Sequence, residues 1–589
     1  MKKITPAIFM ICMVFALLGC ESKIETPQLP EKENPAGGVN SVIYIDAENE
    51  LDETDGVTGP GVYPLEFEAA SEVEIKNLQN KDVYLVMVNF SGSQANGGKI
   101  VDSWLKTSAT TNEEQSASVK NADTPAQNVQ NEVTPIRYDN MEAAMFNPPP
   151  IKRTGTVNNA LSSVSINGKP QQNTGIIYIP GQTSRTFWIR RKKNEVWYQL
   201  NATLRAANEF CHVWVADENF DAMPAANSSI NDNKVNEDQA LAIAQKFADI
   251  YEKTTGLFGY EYGGGPEGGG GIDNLKEVQI FIHDIYEDFT PSQVGGTIGY
   301  FWSKDEYTQV ELESIDLQSQ YKSNYAEMFY MDAHFLDRFP ETTYSTLIHE
   351  FQHMIHYNQK KLTHGLNSSL WYNEMLSMLA EDVICEFINI KTTSEAHPIN
   401  GRIPLFLSSY NTSAPSDWVN SSNSDELYSY SSAYAFGAYL ARNFGGAALI
   451  KEMMNNNAVD AASIEQAVNN LTGGKWTFKK LLQKYSETLV YTGAATLNAS
   501  FNKTVKSGIG SLEYTFQGFN INNIKRLTKN DRNGSGAYFF SQEENWKLQN
   551  NTFILFHETD WRGITGSLNL NLKNIPGGTK LYIMLKKHT

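Results

Sequence analysis

Cysteine is scarce in this chain, with four in 589 residues. Cys12 and Cys20 fall in an N-terminal apolar leader, so Cys211 and Cys385 remain, and two thiols cannot staple a disulfide framework. One lies in an apolar strand and the other near the end of a helical stretch, a placement that fits either one pairing or two separate buried thiols. Positive charge is also in short supply. Lys and Arg number 48 against 67 Asp and Glu, giving a net charge of −19 and a pI near 5.1. That balance argues against nucleic acid as a partner and, with no basic run, against a peripheral anionic membrane surface. The apolar run from Ile8 to Leu18 is too short to span a bilayer. Neither an internal repeat nor a coiled-coil heptad is present. The glycine run Gly263 to Gly271 lacks the Lys-Ser/Thr pair of a phosphate-binding loop and reads as a flexible loop.

What the chain does have is His349-Glu350-Phe351-Gln352-His353, followed by Glu374 in Trp371-Tyr372-Asn373-Glu374-Met375. Two imidazoles at i and i+4 of a helix share one face and can share a tetrahedral Zn²⁺, with the intervening Glu at the same metal edge. Pro340-Glu341 supplies a helix start, and Leu347, Phe351, Met354 and Ile355 recur as a buried stripe. Glu374 lies on a second helical segment, Leu370 to about Phe387, so two helices can converge on one ion through His349, His353 and Glu374. His356, at i+3 from His353, reads as packing or an outer contact, and His364, in a loop, is an alternative third ligand. Gln359 stands where a metzincin would need its third histidine.

With its Asn373-Glu374 partner, this pentad resembles the gluzincin, thermolysin-like class of zinc peptidases, and most closely the hyicolysin family of secreted bacterial metallopeptidases. Gly299-Tyr300-Phe301-Trp302-Ser303 and Glu327 to Asp332 resemble the strands preceding the active-site helix in that family. The resemblance covers roughly residues 275 to 390. It implies one Zn²⁺ on His349, His353 and Glu374, with Glu350 as general base and acid. Thermolysin carries an Asp one turn after its ligand Glu, and here Met378 stands there; Glu381, two turns past Glu374, is the candidate to orient a ligand imidazole. An oxyanion donor in this class is usually a Tyr or His beyond the third ligand. Tyr434, with Gly437 three residues on, is similar to the Tyr-x-x-Gly pattern of gluzincin aminopeptidases and is the first candidate, with Tyr430 behind it. No acidic Gly-x-Met-Glu-Asn element for a free α-amine is found near Glu327 to Asp332, which favours an endopeptidase.

Lys2, Lys3, the apolar run and Leu17-Leu18-Gly19-Cys20 resemble a lipoprotein signal with a lipobox. The expectation is a signal peptide over 1–19, acylation of Cys20, a flexible tether over 20–40, and a place in the bacterial envelope, on the outer membrane or cell surface. The fold class expected is α+β and multidomain. Its parts are a β-sandwich-like domain over 41–225 with a disordered insertion near 107–132, a two-lobed peptidase domain over 226–505, and a small β-rich domain over 506–589. The expected function is a zinc endopeptidase acting on proteins or peptides; the alternative is a surface-tethered binding lipoprotein with a vestigial peptidase core. Calcium is a further possible cofactor, but the acidic stretches Asp46 to Asp55 and His283 to Asp288 match no EF-hand spacing.

Overall fold

The computed structural model describes residues 42–47, 61–65, 72–106, 136–138, 164–166, 169–171, 178–190, 196–222, 233–288, 295–315, 321–418, 423–492, 500–527 and 534–588. The expected signal peptide, tether and insertion near 107–132 lie outside these residues. No helix among the described residues is long and apolar enough to cross a membrane.

The chain is mixed α and β, and a six-stranded sheet underlies the candidate site. In chain order its strands are β1 (Ser184–Arg190), β2 (Trp197–Ala207), β3 (Cys211–Ala216), β4 (Val278–His283), β5 (Gly299–Phe301) and β6 (Met328–Asp332). They pair in the order β1-β2-β3-β4-β6-β5, so β5 is an edge strand. The β3-β4 and β4-β6 pairs are parallel, and β5 runs antiparallel to β6. β3, β4 and β6 are buried along their whole length, as continuous apolar runs covered on both faces should be.

Between β3 and β4 runs α1 (Glu237–Phe258), whose start is fixed by a reciprocal cap: the Asn236 side chain accepts from Gln239 N–H, and the Gln239 side chain accepts from Asn236 N–H. Its stripe of Ile243, Phe247 and Ile250 packs on β2, β3 and the next long helix, α2 (Pro340–His356). Pro340 opens α2 at its first position, where the missing N–H costs nothing. α2 also packs on β5 and β6; α3 (Leu370–Ile384) packs on α2, and α4 (Asn423–Asn443) on α3.

Strand pairing crosses the domain boundaries that the pattern suggests. The strands at 184–216, expected in an N-terminal sandwich, belong to the sheet beside α2. The sandwich that does form draws on both ends of the chain. One sheet has the order Val42–Asp46, Glu72–Lys76, Ser567–Leu572, Val101–Lys106; the other has Val62–Leu65, Thr579–Lys587, Lys81–Asn89, Phe553–Phe556. A separate C-terminal β unit is therefore replaced by strands inserted between N-terminal ones. The run Thr579–Lys587 pairs with Lys81–Asn89 along its full length.

The glycine run is a tight loop, not the loose one expected. A Cβ on Gly271 would stand 1.4 Å from Glu327 Oε2, and both Glu327 oxygens accept the Ile272 N–H at 2.9 Å. At its other end, Tyr251 donates its hydroxyl to buried Glu261 Oε1 at 2.6 Å.

Candidate metal centre

α2 presents His349, Glu350 and His353 toward α3, which brings Glu374 to meet them. His349 Nε2 lies 3.0 Å from Glu374 Oε2, and His353 Nε2 lies 3.5 Å from Glu374 Oε1. The two imidazole planes stand at 84° with centroids 4.7 Å apart. One ligand atom from each of the three residues lies within 4.8 Å of the others. Among the described residues no second group of three His, Cys, Asp or Glu converges in this way, so neither His364, which is exposed, nor the stretch around His283 to Asp288 supplies one.

The far side of each ring is also held. His349 Nδ1 is 2.8 Å from Glu381 Oε1, and Ser345 donates its hydroxyl to Glu381 Oε2 at 2.5 Å. A carboxylate there favours a proton on Nδ1, and in the neutral ring that would leave the Nε2 lone pair for a cation. Glu381, two turns past Glu374, is thus the carboxylate on α3 that reaches the His349 ring; Met378 has no group to do so. His353 is held more loosely: Ser377 Oγ lies 2.9 Å from its Nδ1 and 3.5 Å from its Nε2, and Ser377 also bonds to Gln352 Oε1. Ser377 went unread in the sequence, although it sits three residues past Glu374 on the same face.

Electrostatics match a cation site. Burial would depress His349, but hydrogen bonds to Glu374 and Glu381 override it and push its pKa up to about 10. Burial would raise Glu374, but His353 and His349 hold it down at about 2. Glu374, 0% exposed, needs positive charge beside it, which protonated imidazoles or a bound cation can supply. Glu374 Oε1 and Glu350 Oε1 are both buried without a hydrogen-bond donor. Two imidazoles, a carboxylate and unspent carboxylate lone pairs suit zinc with one open position. Glu350 Oε2 accepts the Phe301 N–H of edge strand β5 at 2.8 Å. Its pKa is raised by burial, against the pull of His349 and His353.

Tyr434 and Tyr430 part company. Both are buried on α4, but Tyr434 lies against Asp382 and Arg442, which join α3 to α4 through a bidentate ion pair of 2.8 and 3.1 Å. Tyr430 instead feels Glu374 first among its charged neighbours, then Arg402 and Glu350; the Arg402 guanidinium lies 4.9 Å from its ring centroid. The charges acting on the two candidates therefore differ: Asp382 and Arg442 on Tyr434, Glu374, Arg402 and Glu350 on Tyr430. His356 turns away, with Nε2 2.7 Å from Ser368 Oγ. Cys211 and Cys385 are free and buried, so they do not pair.

A family model for peptidase M30 matches residues 197–517, more than half of the chain. The chain belongs to the peptidase M30 family. The matched span runs from the start of β2 to just past the hairpin strand Leu512–Phe516, and so contains α1 to α4 and the whole metal centre, leaving the sandwich strands outside. Among known proteins, the neutral metalloprotease ShpI of Staphylococcus hyicus is 26% identical over 344 residues, which cover 54% of this chain and 66% of that relative. The chain thus spans just under two thirds of the length of that relative.

Proposed function

We propose that this member of the peptidase M30 family is a zinc endopeptidase with a gluzincin arrangement, its ion held by His349, His353 and Glu374. The observation that carries the reading is the convergence of those three side chains beside Glu350, whose buried Oε1 has no hydrogen-bond donor. Zinc bound there would polarise a substrate carbonyl and lower the pKa of a coordinated water to about 7. Glu350, held at Oε2 by Phe301 N–H, keeps Oε1 available to take a proton and return it to the leaving amine. Burial raises its pKa, which makes it a better proton acceptor than a solvated carboxylate. Tyr430 is the donor for the developing oxyanion. Internal cleavage is favoured because Glu327, beside the strand where an amine-binding acid would be sought, is buried and tied to Ile272 N–H, in the sheet interior. The substrates are proteins or peptides. The lipobox-like Leu17-Leu18-Gly19-Cys20 supports tethering of the mature chain to the bacterial envelope through lipid on Cys20.

Casein hydrolysis by the parent chain, beside Glu350→Gln, tests the reading when bound zinc is measured in both. The expected result is about one zinc per chain in each and a loss of at least about a hundred-fold in rate for the variant, the scale of a positioned general base. Equal rates would remove Glu350 from the chemistry, and absence of zinc from the parent would remove the centre itself.

A further inference from the structure

An edge strand pairs the backbone groups of alternate residues with its one neighbour and leaves those of the others over. In β5 the alternation is set by Ile298 O, which accepts the Asp332 N–H at 2.8 Å. Register then turns Tyr300 toward β6 as well, and turns the backbone groups of Gly299 and Phe301 outward. Among the described residues no strand lies beyond β5, so the sheet itself offers the Phe301 N–H nothing. Its acceptor is Glu350 Oε2, at 2.8 Å and buried. Gly299, on the same outward side, decides how closely strand and helix approach. A Cβ there would stand 2.9 Å from Tyr330 O, 3.0 Å from Thr346 Cγ2 and 3.2 Å from Glu350 Cγ. The last two atoms belong to α2, one turn apart on a single face. The glycine is not required by its backbone, which is extended and has no positive φ. What it supplies is room.

We propose that Gly299 is a positioning residue for the general base: its missing Cβ lets the open edge of β5 close on α2 and set the Phe301 N–H against Glu350 Oε2. The inference rests on the peptidase reading, in which Glu350 carries the proton. A glutamate side chain has several rotamers, and one donor at one oxygen selects among them and leaves the other oxygen unspent. Glu350 Oε1 is that unspent oxygen. An added methyl at Gly299 must displace something. β6 and α2 are packed within the fold, whereas β5 is held by a strand on one side only, so β5 is the part that yields. Its retreat carries the Phe301 amide away from Glu350, and an N–H···O contact weakens once it stretches beyond about 3.2 Å.

Two changes to the full chain test this: Gly299→Ala, and a backbone ester at position 301 made by placing phenyllactate there, which deletes the N–H and keeps the ring. Casein hydrolysis, bound zinc and Tm are measured for each, with kcat expressed per bound zinc. The expected result is a kcat lower by about ten- to a hundred-fold in both, the scale of a base misplaced by about 1 Å, with KM little changed and zinc retained. Thr346→Ser, added to Gly299→Ala, removes the crowding Cγ2 but keeps a hydroxyl to donate to Thr342 O, and should recover part of kcat. A merely structural glycine would lower Tm and zinc content while kcat per bound zinc stayed at the parent value. That outcome, or an ester with the parent's kcat, would overturn the proposal and leave the peptidase reading intact, because Glu350→Gln tests that reading separately. A parent chain that binds no zinc and cleaves nothing would overturn both.

Discussion

Tyr430 and Tyr434 show what a single residue's position decides. They are four apart on α4 and share a face, so the pattern of the sequence places both toward α3 but does not fix which one reaches Glu374 along the helix axis. The charges around each phenol separate them, Glu374 and Glu350 for Tyr430 and Asp382 with Arg442 for Tyr434. Tyr430→Phe should therefore lower kcat by about ten- to a thousand-fold with little change in KM or zinc content, as loss of an oxyanion donor does. Tyr434→Phe should instead act on stability, and steady-state kinetics beside thermal melts separates the two. A different residue contributes to pH dependence. Burial pushes Glu261 up from 4.5 to about 7, with Tyr251 as its donor. Because the folded pKa lies above the unfolded one, the folded state holds this proton more tightly; the stability it confers is full below about 4.5 and lost as pH rises through about 7. The difference corresponds to about 3 kcal/mol. Glu261→Gln should flatten the decline of Tm between those two pH values; an unchanged slope would assign it to other groups.

Among the elements, helices α2 and α3 were legible because their signals are local: a proline start, an apolar stripe, and ligands at i, i+4. Glu381 was legible by the same logic, two turns past Glu374. Ser377 follows from that logic too, but a serine one turn from a ligand carries no charge to draw attention. The clamp between α3 and α4 was not legible, since Asp382 and Arg442 are 60 residues apart and nothing local pairs them. Arg442 also donates Nε to Gln517 O at 2.9 Å and stacks 4.9 Å from Phe519, so it joins α4 to the segment after the hairpin as well. With both ions fully buried, Asp382→Ala leaves an unpaired guanidinium in the core and should cost about 3–5 kcal/mol. Because α3 carries Glu374, zinc affinity should fall alongside Tm. Replacing both residues with apolar ones of like volume should recover much of the stability.

For the whole molecule, composition and pattern gave the α+β class and the order of strands before helices, but not which strands pair. Alternation marks a strand without naming its partner, and the sandwich joins residues near 42–106 to residues near 553–587. Strand 81–89 lies between Phe553–Phe556 and Thr579–Lys587, so removing the C-terminal strands would bare both of its edges. A chain ending at residue 540 should therefore lose the cooperative melt of the sandwich and aggregate, whereas a separate C-terminal domain would have left the remainder soluble. Sedimentation and circular dichroism of that truncation distinguish the cases. The metal centre, by contrast, lies wholly within the span shared with the peptidase M30 family.

The central claim is that His349, His353 and Glu374 hold zinc in a site that keeps one position open. Zinc-edge X-ray absorption on the isolated chain measures that coordination directly. The account predicts two imidazole nitrogens near 2.0–2.1 Å and carboxylate oxygen, with no sulfur, and loss of one imidazole in His353→Ala. A sulfur shell, or a zinc spectrum unchanged by His353→Ala, would contradict it.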